Sequence, residues 1–199
     1  MRVTRGDVRR RMVGGAAELL SERGLEGTSF AEVLARVDAP RGSTYHHFPG
    51  GKDELVAAAI EAASRRALTY LEPVRGRPAT AVVQRFLGMW GELLDHSDLT
   101  RGCAVLAVTV ATEPGELLDK AGEIFRDWTR HLAEMLETGG LPPGSARSLA
   151  VLTIASAEGA VVLSRAQRSR EPFELVSDRL LRAVRAEQRR TRENVRSRT

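Results

Sequence analysis

The stretch 41-RGSTYHHFPGGKDEL-55 crowds an arginine, three hydroxyls, two adjacent histidines and a lysine into fifteen residues. Two chemistries use such side chains. Histidines can move protons or bind a metal, but adjacent residues point different ways on a helix. No cysteine or acidic residue is spaced to complete a metal site with His46 and His47. Duplex DNA, by contrast, uses the whole set. Arg41 can hold a guanine edge with two hydrogen bonds, Ser43 can donate or accept at any base, and Gly42 lets the backbone come close. Tyr45, His46 and His47 offer polar tips to phosphate oxygens, contacts that fix position without reading sequence. Lys52 puts a charge beside the free N–H groups of a helix start, a natural phosphate site, and Thr28 and Ser29 offer the same one helix earlier.

These side chains need helices to carry them. Ser29 followed by Glu32 reads as a capping box, and Phe30, Val33, Leu34 and Val37 make one apolar face, so a helix is expected to end near Val37. The run 38-DAP-40 breaks it, since proline disfavours helical geometry in the residue before it yet suits a first turn. The next helix is expected from about Pro40 to His47 or Phe48, where Pro49 and two glycines stop it. Its segment 41-RGSTYHH-47 spans about 10 Å, against a major groove about 12 Å wide. Thr44 and Phe48, four apart, are expected to face inward. Two short helices around a tight turn, supported by a third, form a helix-turn-helix.

The supporting helix runs from Thr4 to Arg23, with Met12, Ala16, Leu19 and Leu20 on its apolar stripe, a Thr4/Asp7 cap and a stop at Gly24. After the reading helix comes one from Lys52 to about Leu71, with Asp53 and Glu54 suiting the positive end of its dipole. The break 73-PVRGRP-78 divides the chain. A small DNA-binding domain is expected over residues 1–50, connected by the helix at 52–71 to a larger domain over 73–190, with a polar tail at 191–199.

The larger part reads as all-α. Helices are expected over Ala79–His96, Gly115–Thr138 and Ser145–Arg168, and a last one is striped by Phe173, Val176, Leu180, Leu181 and Val184 before a fraying tail from Arg185. The run 103-CAVLAVTVAT-112 suits helix or strand and is read as a buried helix from its helical surroundings. The third of these helices is apolar nearly all round, which predicts burial on several sides. Its small residues Ala155, Ser156, Ala157, Gly159 and Ala160 would let a second copy's helix approach closely, although the same helix would serve as a monomer's core.

Composition agrees with a soluble globular chain of 199 residues, with a formal charge of +4 and lysine only at 52 and 120. The lone Cys103 excludes an intrachain disulfide and a cysteine-rich zinc site. No signal peptide and no bilayer-spanning run is expected, which places the chain in the cytoplasm.

Residues 4 to 60 resemble the DNA-binding domain of TetR-family transcriptional regulators, on 28-TSFAEVLARV-37, 42-GSTYHHF-48 and 52-KDEL-55. YHHFPGGKDEL resembles the LmrA/YxaF-like subgroup, and GCAVLAVTVA with 157-AEGAVVL-163 resembles its C-terminal domain. Asp38 and Ala39 stand where the family has Gly and Val, and Pro40 where it has a capping serine. Aspartate tolerates turn geometry, so the turn is expected to survive.

The resemblance implies a homodimer on a palindromic operator, released by a small-molecule effector that shifts the fourth helix. It needs no cofactor, metal or membrane. Candidate pocket residues are Phe86, Trp90, Cys103, Phe125, Trp128, His131, Met135 and Glu158, with plain core the leading alternative for the first seven and a hydrogen bond within the bundle the alternative for Glu158. The competing readings are an enzyme using His46, His47 or His131 with Cys103 or Glu158, or a helical interaction module with an incidental basic surface. The first lacks a nucleophile–base motif and a phosphate loop.

Overall fold

The computed structural model of the chain describes residues 5–40, 42 and 44–197, and every regular element among them is helical. In chain order these are α1 Arg5–Arg23, α2 Phe30–Val37, α3 Thr44–His47, α4 Gly51–Leu71, α5 Ala79–His96, α6 Ala104–Thr109, α7 Glu116–Thr138, α8 Pro143–Gln167 and α9 Glu171–Arg196, with a 3-10 turn at Glu72–Val74. Contacts gather them into two compact units, Met1–Arg66 with Cys103–Ile124, and Ala67–Gly102 with Phe125–Thr199.

In the first unit, α1 packs on α2 and α6 around Met12, Leu19, Leu20, Val33, Phe48, Leu55, Val56 and Ile60, all buried. The α1–α2 crossing is close because Gly15 has no side chain. A Cβ there would sit 2.6 Å from Cγ1 of Val37. Gly24 ends α1 at φ 74, as its position predicts, and its N–H reaches Leu20 O at 3.1 Å. Thr4, expected to cap α1, lies outside the described residues, and Asp7 instead accepts from Arg10. The ambiguous run at 103 is helical in α6, where Thr109 donates its hydroxyl back to Val105 O. Backbone and hydroxyl are both satisfied within the helix, which removes the need for a strand partner.

The second unit is built on α8, which packs against α9 and α5. Two expectations fail here. The helix α8 is buried on one side only: Ala150, Ile154, Ala157 and Val161 face the core, while Val151, Leu152, Val162 and Leu163 stay 48–51% exposed. Neighbours cover a single face, so apolarity all round does not translate into burial all round. By length and composition α8 is also apolar enough to cross a membrane, contrary to the sequence expectation, although it packs here as the central helix of its unit.

The helix α9 does not fray at Arg185 but continues to Arg196. Its extension has partners: Glu187 accepts from Ser145 at 2.5 Å, Thr80 donates to Gln188, and Gln188 reaches Gly139 O at 3.4 Å.

Candidate nucleic-acid interface

Ser29 caps α2 by accepting the Glu32 N–H at 3.2 Å. The box is half realised, because the Glu32 carboxylate turns to Arg23 at 2.9 Å and ties α2 to α1. Arg36 makes a second tie, bridging Glu22 at 2.7 Å and Glu18 at 3.3 Å. The Glu22 hydrogen bond raises its guanidinium further above its ordinary value, so it stays charged at any working pH. These pairs are partly exposed, worth about 0–1 kcal/mol each, and serve mainly to set the α1–α2 angle.

The turn works without glycine. Asp38 takes φ 47, ψ 58, the left-handed region, and its N–H closes on Leu34 O. Ala39 N–H reaches the same oxygen at 3.1 Å. The α-helical part of α3 among the described residues is Thr44–His47. Thr44 and Phe48 face inward, 6% and 0% exposed. Phe48 lies against Phe30 with centroids 6.3 Å apart, and the Arg9 guanidinium sits 4.9 Å over its ring. With the inner face fixed in this way, His46 and Gly42 lie exposed on the outer side, and a Cβ on Gly42 would meet nothing within 4 Å. His46 and His47 stack edge to face at 5.4 Å. Arg41 and Ser43 lie outside the described residues, as does the side chain of Tyr45.

Two of the phosphate candidates have a more specific placement than their types reveal. Thr28 is 1% exposed and donates its hydroxyl to Gly24 O at 2.8 Å, so it holds the loop after α1 and presents no donor outward. That corrects the expectation for its side chain. Lys52, half-buried at the start of α4, donates to Leu25 O at 2.8 Å across 27 residues. An ammonium has three protons, so this bond holds the charge in place and leaves capacity for an anion. The Gly50 N–H is taken by Glu54 at 2.9 Å, which caps α4.

The pocket candidates divide. Phe86, Trp90, Trp128 and Met135 are buried in the second unit, with Phe86–Trp90 and Trp90–Trp128 centroids both at 6.4 Å, edge to face. The indole N–H of Trp90 and the hydroxyl of Thr153 are buried without a hydrogen-bond partner. Glu158 is 7% exposed on α8. His131 faces Glu72 at 3.2 Å and Arg75 at 3.4 Å, and the Arg75 hydrogen bonds hold the Glu72 carboxyl below its ordinary value. Cys103 belongs to the other unit and accepts the Leu106 N–H at 3.4 Å as the cap of α6.

A groove of about 800 Å³ runs along α7 and α8, and of the candidates it takes only Phe125. Its arginines, Arg126, Arg130 and Arg147, were missed in the sequence, where they merge into an arginine-rich background. No group of three His, Cys, Asp or Glu side chains among the described residues is placed to hold a metal.

Known proteins resemble this chain in sequence and in fold. Residues 13–59 match the family described as bacterial regulatory proteins, tetR family, and residues 78–179 match the LmrA/YxaF-like transcriptional regulator C-terminal domain. The HTH-type transcriptional regulator Rv0196 of Mycobacterium tuberculosis is 33% identical over 90% of this chain and 95% of its own. The HTH-type transcriptional repressor DhaR of a Mycobacterium species is 25% identical over 86% of this chain and 89% of its own. In fold, a TetR transcriptional regulator from Legionella pneumophila superposes with a TM-score of 0.78 at 22% identity, over 92% of this chain and 99% of that one.

Proposed function

From the premise that this chain belongs to the TetR family of DNA-binding transcriptional regulators, we propose that it is a repressor released from its operator by a small hydrophobic effector. The observation that carries the DNA half is the anchoring of α3. Thr44 and Phe48 are locked inward, Asp38 supplies the left-handed turn, Gly42 and His46 stay exposed, and Lys52 is pinned at the start of α4. In this reading Arg41, Gly42 and Ser43 face base edges, while Ser29, Tyr45, His46, His47 and Lys52 hold phosphates. The helix at 52–71 links the reader to the effector domain.

Repression is supported by the relative DhaR, a repressor by name, and the LmrA/YxaF-like subgroup by the match over residues 78–179. An effector site at Phe86, Trp90 and Trp128 is supported by the buried aromatic edges and by the two orphaned donors, which a ligand's acceptor would satisfy. A homodimer on a palindromic site is supported by the uncovered apolar face of α8. The protein works in the cytoplasm, and no catalytic step is part of this reading.

The test is a gel shift with the DNA upstream of the chain's own gene against random duplex. Selective retention that weakens steeply with salt is expected. Equal retention of both duplexes at low ionic strength would sink the proposal.

A further inference from the structure

The groove along α7 and α8 is a different feature from the aromatic cluster, and we propose that it is a second ligand site for an amphipathic organic anion, a carboxylate carried on an apolar body. Its floor is apolar: Ala133 is buried, Phe125 is half-buried, and Pro143 closes the wall from the start of α8. Around this floor stand three guanidiniums, Arg126 and Arg130 one turn apart on α7, and Arg147 on α8. Arg130 already holds Asp127 at 2.7 Å.

Arg126 and Arg147 have no hydrogen bond or ion pair with any described residue. Two helices thus bring unpaired positive charges to one apolar-floored cleft, an arrangement that an anion relieves. A guanidinium takes a carboxylate through two parallel hydrogen bonds, which gives direction as well as charge. The volume, about 800 Å³, is that of a small-molecule site.

The far end of the groove sets the ligand's shape. Glu134 and Glu137 continue the same face of α7, so the sign of the lining reverses along its length. From Arg126 to Glu137 the helix rises about 16 Å. A ligand with one anionic head and a medium-length acyl or aryl body fits that pattern, while a second anionic group at the other end is repelled. Phe125 also meets Trp128 edge to face at 5.6 Å, so one floor residue touches the aromatic cluster.

The site does not rest on the operator reading, since its test needs no DNA. Decanoate and 1-decanol are titrated calorimetrically into the full-length protein, its Arg126→Glu/Arg147→Glu variant and an Ala133→Trp variant. Both arginines are exposed, so the double variant keeps its fold, which thermal unfolding checks.

Decanoate is expected to lose at least about tenfold in affinity on charge reversal while decanol is unchanged, and Ala133→Trp is expected to remove both. Four results overturn the proposal. They are no decanoate binding up to about 1 mM, equal decanoate binding by the double variant, equal losses for decanoate and decanol on charge reversal, and a change of sedimenting mass in the double variant with decanoate binding intact. The last would assign the groove to a second copy of the chain.

Discussion

At the scale of single residues, the charge of Lys52 is held by a carbonyl far from it in sequence. Its position at a helix start marks it for a phosphate, and its ammonium is fixed by Leu25 O, 27 residues earlier. That carbonyl is available because Gly24 ends α1 and leaves the loop's carbonyls without helical partners. Thr28 shows the converse: its hydroxyl looked available and is committed to Gly24 O, inside the same loop. One substitution separates this loop bond from the proposed phosphate contact. Lys52→Ala should lower stability by about 1 kcal/mol through the lost bond to Leu25. It should also reduce the slope of log affinity against log salt by about 0.9, the share of one phosphate. Denaturant unfolding measures the first and gel shifts across a salt series the second. A loss of stability with an unchanged slope would make Lys52 a prop for the loop and nothing more.

At the scale of elements, periodicity gave most helices within a residue or two, because their apolar stripes match the faces that are buried. It misjudged elements whose fate depends on neighbours. The outer face of α8 and the extension of α9 both follow from what lies beside them: Val151 and Leu163 are left about half exposed by the described residues, and Ser145, Thr80 and Gly139 lie within reach of Glu187 and Gln188. The α1–α2 crossing gives a test in which packing and propensity oppose each other. Alanine at position 15 would gain about 1 kcal/mol of helix propensity, but its Cβ meets Val37 Cγ1 at 2.6 Å. Valine is stiff at its first torsion, so the overlap is expected to cost about 1–3 kcal/mol and Gly15→Ala to destabilise. In a Val37→Ala background the obstacle is gone, and the same Gly15→Ala change should then stabilise by about 0.5–1 kcal/mol. Chemical denaturation of the four proteins in this cycle reads the sign directly. Equal effects in both backgrounds would show that this contact does not set the crossing.

At the scale of the whole molecule, the small residues of α8 were legible as a possible close-approach face, but whether that face met the chain's own core could be decided only from the fold. The fold splits the set: Ala157 and Ala160 are buried in the chain's own core, whereas Gly159 is exposed and a Cβ there meets nothing within 4 Å, with Val162 and Leu163 exposed beside it. Within one copy, a Cβ at this exposed position is unobstructed, and Gly159→Leu should strengthen α8 by about 0.8 kcal/mol of helix propensity. Against a second copy's α8, the same side chain would hold the backbones apart just where small residues allow contact. The two effects have opposite signs, so a loss of dimer cannot be attributed to a weakened helix. Sedimentation at micromolar concentration should show a dimer for the parent chain and a dissociation constant raised at least about tenfold for Gly159→Leu. Specific operator retention should fall with it, since one α3 spans too few base pairs to hold a site alone. A variant that sediments as the parent does would move the dimer interface off α8, and the paired spacing of the two readers would need another scaffold.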